Sequence, residues 1–344
     1  MNGFVSMLSI IFKFHMNNQS ITKEILNWYD NNKRILPWRK QLTKKQKEYF
    51  TLVSEIMLQQ TQVKTVIPYF NNFIKKIPNF KTLAKTNDQK LMKCWEGLGY
   101  YSRAKNLKKT AKKIIKEFNG NLPNNIDQLK SLPGVGDYTS AAIMAIAFNQ
   151  PFIPLDGNVE RILKRIFYLK SEKEIRKDNL LRQKSFFGKS NRSSDYAQAI
   201  MEIGALICKP TNPLCHQCPI SKNCIAYKKN DFNIKTKNKF NKVKYFEANI
   251  YKSKNKYLLI KNNKFNFLKN LFIFPMREIN QKKFKSSLNK RINIKMSNMD
   301  MKIIINKKNK KTYLSNSFLL DKDDIKNYTL PSFTKKIFKS VVKH

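Results

Sequence analysis

Four cysteines close together constrain the fold of this chain more than any other feature. They follow the pattern Cys208-x6-Cys215-x2-Cys218-x5-Cys224, and the fifth cysteine, Cys94, lies far from them. Four thiolates at such short spacings can surround one metal centre, whereas a disulfide framework is typical of small secreted domains. Ligation by cysteine alone suits a [4Fe–4S] cluster and also suits structural zinc. The spacing therefore predicts a metal site in a reducing compartment, with iron–sulfur favoured over zinc.

The chain is strongly basic. Its 344 residues include 68 Lys and Arg against 23 Asp and Glu, a formal net charge of +45. Such an excess attracts polyanions, of which nucleic acid is the usual one. The alternative is a solvated surface, since Lys, Asn, Ile and Phe are all abundant. The scattered histidines, His15, His216 and His344, argue against a Ser-His-Asp triad and against a His-ligated zinc hydrolase.

Hydrophobic spacing divides the chain into a helical part and a β-prone part. Apolar residues recur three and four positions apart between residues 20 and 227, as on the buried faces of helices. A linker rich in Lys and Asn is predicted at 230–242. The turn Ser253-Lys254-Asn255 predicts a hairpin in the domain that follows. Short β-prone runs in that domain predict strands at 245–251, 257–260, 271–274 and 303–305.

The first 16 residues are interpreted as a leader or as a misassigned start, with Met16 as the alternative first residue. The apolar run within residues 5–14 is too short to cross a membrane and lacks a small-residue cleavage site. We therefore expect a cytoplasmic protein with no membrane attachment.

A glycine-containing turn, Leu132-Pro133-Gly134-Val135-Gly136, lies between two helical stretches, the second beginning near Asp137. Glycines let the backbone approach a ligand closely, and free N–H groups at a helix start can bind a phosphate. An ordinary turn between packed helices would have the same pattern. Asp137 adds a negative charge there and is expected to cap the helix and to weaken DNA binding.

Two carboxylates are candidates for catalysis. Glu55 is placed on a helix that begins near Thr51, with Gln59 and Gln62 on the same face. Asp156 precedes a helical run, where an N-cap is at least as common as a catalytic role. Cleavage of an N-glycosidic bond needs such a pair, because an acid protonates the leaving base and a carboxylate stabilises the cationic sugar.

Six motifs in order resemble the adenine DNA glycosylase (MutY-type) family of the helix-hairpin-helix, endonuclease III superfamily. The resemblance implies a [4Fe–4S] cluster. It also implies a monofunctional enzyme that excises adenine opposite 8-oxoguanine or guanine in double-stranded DNA and leaves an abasic site. The motifs are Leu36-Pro37-Trp38-Arg39, residues 54–63, Gly97-Leu98-Gly99-Tyr100-Tyr101, the Leu132–Gly136 turn, Leu155-Asp156-Gly157-Asn158-Val159 and the four cysteines.

The same resemblance implies a mainly α fold and a domain plan. A helix-hairpin-helix catalytic unit at 17–229 combines a six-helix module, about 48–150, with a cluster module formed by about 17–47 and 151–229. A small α/β Nudix-like domain follows at 243–344, suggested by the match at residues 267–275 and by Ser297. This domain recognises 8-oxoguanine in the family. We expect the protein to act as a monomer.

Catalytic roles follow from the resemblance as expectations. Glu55 matches the general acid, and Asp156 matches the carboxylate that stabilises the oxocarbenium ion, held in place by Asn158. Tyr138 stands where endonuclease III-like enzymes have a nucleophilic lysine, which tyrosine cannot replace in Schiff-base chemistry. Residues expected to contact substrate or DNA are Arg39, Gln59, Gln60, Thr61, Tyr100, Gly134, Val135, Gly136, Gln198 and Ser297.

Two alternatives stay open at this point. One is an endonuclease III-like glycosylase that acts on pyrimidine lesions, against which Tyr138 argues. The other is a non-catalytic iron–sulfur protein that only binds DNA, against which the presence of both Glu55 and Asp156 argues.

Overall fold

The computed structural model describes residues 18–170, 187, 189–232, 242–296, 299–308, 317–328 and 330–342. The predicted leader, most of the predicted linker and Ser297 lie outside these ranges. The chain forms two compact units. The first unit comprises Met1–Lys85 and Lys105–Thr236, and the second unit comprises Thr86–Ala104 and Lys237–His344. In the part of the chain that the structure describes, no helix has the length and hydropathy needed to cross a membrane.

The first unit is helical, as predicted. A 3₁₀ turn at Pro37–Arg39 follows the helix Asn18–Asn32, and a π-helical turn at Ile203–Ile207 follows the helix Ser193–Glu202. Helix α6, Tyr101–Glu117, belongs to it from Lys105 onwards. Its other helices are α1 (Asn18–Asn32), α2 (Lys44–Leu58), α3 (Val63–Lys76), α4 (Phe80–Lys85), α7 (Ile126–Lys130), α8 (Asp137–Ile146), α9 (Gly157–Ile166), α10 (Ser193–Glu202) and α11 (Ile225–Lys228).

One hydrophobic core of the first unit joins segments far apart in sequence. Ile21 and Ile25 of α1 pack in one cluster with Ile162 of α9 and Ile200 of α10, all almost completely buried. Burying an aliphatic side chain of this size contributes roughly 1.5–3 kcal/mol. This core therefore holds the N-terminal helix against the segment that leads to the cysteines.

Helix α2 differs from its prediction at both ends. It begins at Lys44, not near Thr51, because Thr43 and Gln46 form a reciprocal capping box. It ends at Leu58, where Gln59 is the C-cap. Gln62 is the N-cap of α3, so the polar stripe expected to run from Glu55 through Gln59 and Gln62 on one helix face was wrong.

The second unit contains a mixed seven-stranded sheet. Its central strands, β1 (Lys242–Ser253) and β6 (Met299–Lys308), are parallel, and Ala248 lies opposite Ile305. The hairpin predicted at Ser253-Lys254-Asn255 is confirmed, because β1 pairs antiparallel with β2. The other strands are β2 (Lys256–Lys261), β3 (Phe272–Ile273), β4 (Met276–Ile279), β5 (Arg291–Met296) and β7 (Ser317–Asp321).

The strand order is β3-β2-β1-β6-β5, with β4 also pairing with β1 and β7 with β2. The helices of the second unit are α5 (Asp88–Trp95), the first turn of α6, α12 (Gln281–Ser286) and α13 (Ser332–Val342). Phe333, Ile337 and Phe338 of α13 are buried against the sheet. The predicted strands all lie within or overlap observed strands, and the mainly α class with a C-terminal sheet domain is confirmed.

Candidate active site

A cavity of about 180 Å³ lies among α2, α8, α9 and α10 of the first unit. Most of its polar lining comes from residues that the sequence had singled out. The cavity also includes Arg34 and Glu202, which the sequence had not indicated. The predicted residues brought together here are Arg39, Glu55, Thr61, Tyr138, Asp156, Asn158 and Gln198.

Glu55 is a buried carboxyl group, with only 4% of the residue exposed. The Tyr138 hydroxyl donates a hydrogen bond to its Oε2 at 3.0 Å. Burial raises the pKa of Glu55 to about 7, although the Tyr138 hydrogen bond and the charge of Arg39 act in the opposite direction. A carboxyl group with this pKa holds a proton near neutral pH and can give it to a leaving group.

Tyr138 lies in the first turn of α8, directly after the glycine-containing turn. Burial, together with the nearby charges of Glu55 and Asp156, raises the pKa of Tyr138 well above its usual value. The phenol therefore stays protonated and acts as a hydrogen-bond donor towards Glu55.

Asp156 is the N-cap of α9, the role that the sequence analysis gave as the alternative to catalysis. Its Oδ1 accepts hydrogen bonds from the backbone N–H groups of Asn158 at 2.9 Å and Val159 at 2.7 Å. Its Oδ2 accepts one from the Asn158 side-chain amide at 2.9 Å. The carboxylate is thus held by both oxygens, at the positive end of the helix and on the wall of the cavity.

Asn158 is itself held by Arg161 and packs against Gly204. Arg161 donates from Nη2 to Asn158 Oδ1 at 2.8 Å and to the Gly204 carbonyl at 2.7 Å, and from Nε to the Cys208 carbonyl at 2.7 Å. A Cβ atom on Gly204 would lie 2.6 Å from the Asn158 Cβ. Only glycine at position 204 leaves room for this arrangement.

A buried carboxylate that the sequence analysis missed organises the other side of the cavity. Glu202 is fully buried, and its Oε1 accepts hydrogen bonds from Arg39 Nη1 and, at 3.1 Å, from Arg34 Nε. Arg39 Nε has no partner in the described part of the chain. Gln198, one helical turn before Glu202, donates its amide to the Ser194 carbonyl at 3.0 Å. Glu202 follows Gln198 by four residues, so the two share one face of a helix. This spacing could have indicated Glu202 as a site residue from the sequence.

The glycine-containing turn connects α7 to α8 and is tied to the end of α2. Gly134 has a φ of +84°, and a Cβ there would lie 3.0 Å from the Asn106 Cβ. Gln59 donates its amide to the Gly134 carbonyl at 3.3 Å and to Thr139 Oγ1 at 3.2 Å. These bonds join the helix that carries Glu55 to the turn.

The expectation that Asp137 caps α8 was wrong. Gly136 occupies the N-cap position and no side chain caps this helix. Asp137 instead forms an ion pair with Lys130 at 3.0 Å, and both side chains are well exposed. This partner offsets the negative charge that Asp137 brings to the turn. Val135, predicted to contact DNA, has a buried side chain.

The four clustered cysteines line one small cavity of the first unit, together with isoleucines, Arg165 and Phe232. Burial raises the pKa of the Cys218 thiol to about 12, and it also raises the pKa values of Cys215 and Cys224. Arg165 Nη1 lies 3.3 Å from Cys208 Sγ. A cationic centre would favour the thiolates that burial alone disfavours.

The chemistry of the four cysteines bears on which metal group they fit. Among the described residues, no three His, Cys, Asp or Glu side chains are close enough together to hold a single metal ion. A tetrahedral zinc site needs sulfurs at about 2.3 Å from one ion, whereas an iron–sulfur cluster spreads its four ligands over several irons. Four thiolates that line one cavity are a donor set that fits a [4Fe–4S] cluster.

Comparisons with known proteins bear directly on this site. Residues 53–184 match the family described as "HhH-GPD superfamily base excision DNA repair protein". Over 258 residues the chain is 40% identical to the adenine DNA glycosylase of Buchnera aphidicola subsp. Schizaphis graminum, an alignment that covers 73% of each protein. The chain belongs to the adenine DNA glycosylase family. It is therefore a DNA glycosylase of base excision repair, and the predicted enzyme class is confirmed.

One further relative has the same name, and two solved structures share the fold. The human adenine DNA glycosylase is 39% identical over 213 residues, 59% of this chain and 38% of the human protein. Among solved structures, a thermostable thymine-DNA glycosylase aligns with 62% of this chain and 98% of its own, with a TM-score of 0.55 and 29% identity. An endonuclease III in a non-covalent DNA complex covers 62% of this chain with a TM-score of 0.50 and 22% identity, which supports the fold.

Two residues of this glycosylase that were predicted to contact DNA have left-handed backbone conformations. Gln60 in the first unit has a φ of +55°, and Tyr100 in the second unit has a φ of +47°. Gln60 is exposed, and Tyr100 is 37% exposed. Non-glycine residues held in this region often lie at functional sites. Ser297 lies outside the described residues.

Proposed function

We propose that this glycosylase excises adenine paired with 8-oxoguanine or guanine and leaves an intact abasic site. The observation that carries the proposal is the pairing of Glu55, a buried acid with a pKa of about 7, with Asp156 in one cavity. The two carboxyl groups differ in environment, one buried and the other held by N–H donors at a helix start. This difference suits one to acid catalysis and the other to charge stabilisation.

The reaction begins with an adenine rotated out of the duplex into the cavity, which costs a few kcal/mol. Glu55 transfers its proton to N7 of the base. The bond from the sugar C1′ to the base breaks with its electron pair going to the base, and Asp156 stabilises the positive sugar. Water then adds to C1′ and returns a proton to Glu55. Asn158 keeps Asp156 in place through its hydrogen bond to Oδ2.

The remaining predicted residues bind the substrate. Arg39, held by Glu202, and Gln198 contact the adenine from the cavity wall. Gln60, Thr61 and Tyr100 fill the space that the base leaves and touch the opposite guanine or 8-oxoguanine. Gly134 and Gly136 offer backbone N–H groups to a DNA phosphate, next to Gln59. The Val135 N–H donates to the Leu132 carbonyl at 3.1 Å, so Val135 contributes to the shape of the turn.

Cys208, Cys215, Cys218 and Cys224 would hold a [4Fe–4S] cluster, which when bound stabilises the fold of the surrounding loop. The domain at 243–344 is proposed to be Nudix-like and to recognise 8-oxoguanine, with Ser297 as a contact, and the catalytic unit to comprise residues 17–229. The enzyme is proposed to act as a monomer on double-stranded DNA.

A strand-cleavage assay tests the proposal. Duplexes carrying A opposite 8-oxoguanine, G or T are incubated with wild-type enzyme and with Glu55→Gln, then divided into samples with and without alkali. We expect alkali-dependent cleavage at the adenine opposite 8-oxoguanine and G, little opposite T, and a loss of at least about 100-fold in the variant. Release of oxidised pyrimidines without release of adenine would instead favour endonuclease III-like activity.

A further inference from the structure

A carboxylate outside the cavity, that of Glu96, connects two distant segments of the second unit. Its Oε1 accepts hydrogen bonds from the Leu330 backbone N–H at 3.1 Å and from Lys335 Nζ at 2.6 Å. Its Oε2 lies 2.9 Å from Lys93 Nζ, and the side chain is only 11% exposed. Burial alone would raise the pKa of Glu96, but hydrogen bonds from Lys335, Lys93 and Leu330 outweigh it and lower the pKa.

Two of the partners of Glu96 belong to a part of the C-terminal domain that packs into its hydrophobic core. Lys335 is in α13, and Leu330, fully buried, lies just before this helix. Phe333 and Ile337 anchor α13 in the hydrophobic core beneath the sheet. The carboxylate of Glu96 therefore bonds to a part of the domain that its own core holds in place.

On its other side, Glu96 precedes the loop that carries Tyr100. Gly97 and Gly99 of this loop have φ values of +99° and +75°. Such glycines allow many conformations, so local sequence cannot hold the loop in one of them. Contacts with neighbouring side chains must do so.

The rest of the loop is braced from within the same unit. Trp95 Nε1 donates to the Gly99 carbonyl at 3.0 Å, and Arg103 Nη2 donates to the Leu98 and Gly99 carbonyls at 3.3 Å. The Arg103 guanidinium also lies 5.2 Å from the centre of the Tyr100 ring. A displacement of Glu96 would thus be passed to Tyr100 through a short, packed segment.

We infer that Glu96 is a positioning residue through which α13 of the C-terminal domain fixes the Tyr100 loop for base excision. The inference rests on the proposed function of Tyr100 as the residue that fills the space of the extruded adenine. In this arrangement the C-terminal domain contributes to excision from every adenine mispair, in addition to any contact it makes with the lesion.

The test compares two lysines that are adjacent in α13. Lys335→Glu places a repelling charge against Glu96, and Lys336→Glu makes the same change of net charge on an exposed neighbour. Because DNA affinity depends on total charge, Lys336→Glu controls for electrostatic losses. Lys335→Arg keeps the ion pair, and Glu96→Gln is a second variant that removes the charge from the other partner.

Hydrogen–deuterium exchange of amides 97–103 reports on the loop without reference to activity. We expect at least about threefold faster exchange in Lys335→Glu and Glu96→Gln, in keeping with a partly exposed ion pair, and wild-type exchange in Lys335→Arg and Lys336→Glu. Single-turnover rates on both adenine mispairs should fall about threefold in the same two variants. Equal exchange and equal rates in Lys335→Glu and Lys336→Glu would overturn the inference.

The two measurements separate failure of this inference from failure of the proposed function. If the wild-type enzyme releases no adenine, the proposed function fails. The exchange experiment still decides whether Glu96 holds the loop. If adenine is released but the loop exchanges alike in all variants, only the inference fails.

Discussion

The Tyr138 hydroxyl and the Glu55 carboxyl form a 3.0 Å hydrogen bond in the buried cavity, although 83 positions separate them in the chain. Tyr138 is expected to occupy the position at which a lyase of the same superfamily has an amine. Here the side chain supplies a hydrogen bond to the candidate acid, and this bond works against the effect of burial on the pKa of Glu55.

Replacing Tyr138 by Phe should move the pH dependence of excision upwards. The variant removes a hydrogen bond that lowers the pKa of Glu55, so this pKa should rise above about 7. Activity requires protonated Glu55 and falls as pH increases through this pKa. The alkaline limb of the single-turnover rate profile should therefore shift to higher pH. An unchanged limb would show that another group controls it.

Glu55→Gln should increase stability at high pH. The folded protein keeps the Glu55 proton up to about pH 7, whereas the unfolded chain releases it near 4.5, so this group destabilises the fold as pH rises between those values. Relative to wild type, the variant should gain little at pH 4.5 and as much as roughly 3 kcal/mol at pH 8. Urea unfolding at the two pH values measures the difference. A gain that is the same at both would contradict a raised pKa.

Tyr138→Lys should add strand nicking without alkali. A lysine amine at this position could attack the sugar C1′ and form a Schiff base, which leads to β-elimination. Borohydride trapping of a covalent protein–DNA adduct measures this step, with wild type as the control. Equal trapping by the wild-type enzyme would indicate that one of its own lysines already serves as a nucleophile.

Gly204→Ala should displace the Asp156 carboxylate indirectly, by moving Asn158. The new Cβ would lie 2.6 Å from the Asn158 Cβ, so Asn158 must move and its hydrogen bond to Asp156 must weaken. We expect overpacking to cost about 1–3 kcal/mol of stability and the excision rate to fall at least about tenfold. Unfolding and single-turnover measurements on the same sample test both effects. A normal excision rate would mean that Asn158 does not position Asp156.

The cysteine cavity should contain iron. Protein purified without oxygen should be yellow-brown, with about four irons per chain if the four cysteines hold one cubane cluster. Cys218→Ser should lower both iron content and thermal stability, and Cys94→Ser, far from the cluster in sequence, is the matched control. Stoichiometric zinc without iron, in protein produced with ample iron, would overturn the assignment.

Residue types and short spacings were enough to predict much of this protein. The linear sequence contains the cysteine spacing, the carboxylates Glu55 and Asp156, and the alternation of helices with turns. The Asp156 cap was predictable because its bonds to Asn158 and Val159 span only two and three residues. The end of α2 was predicted wrongly, because a turn interrupts the helical pattern between α2 and α3. Gln60 adopts a left-handed conformation just after α2 ends, so Gln62 starts a new helix.

Only the tertiary structure decided how these residues act together. Burial, which depends on packing around the whole cavity, raises the pKa of Glu55, and the hydrogen bond from Tyr138 acts against it. The contact of Arg39 with Glu202 joins positions 163 residues apart. Such effects depend on distance in space and on exclusion of water, and neither follows from the order of residues along the chain.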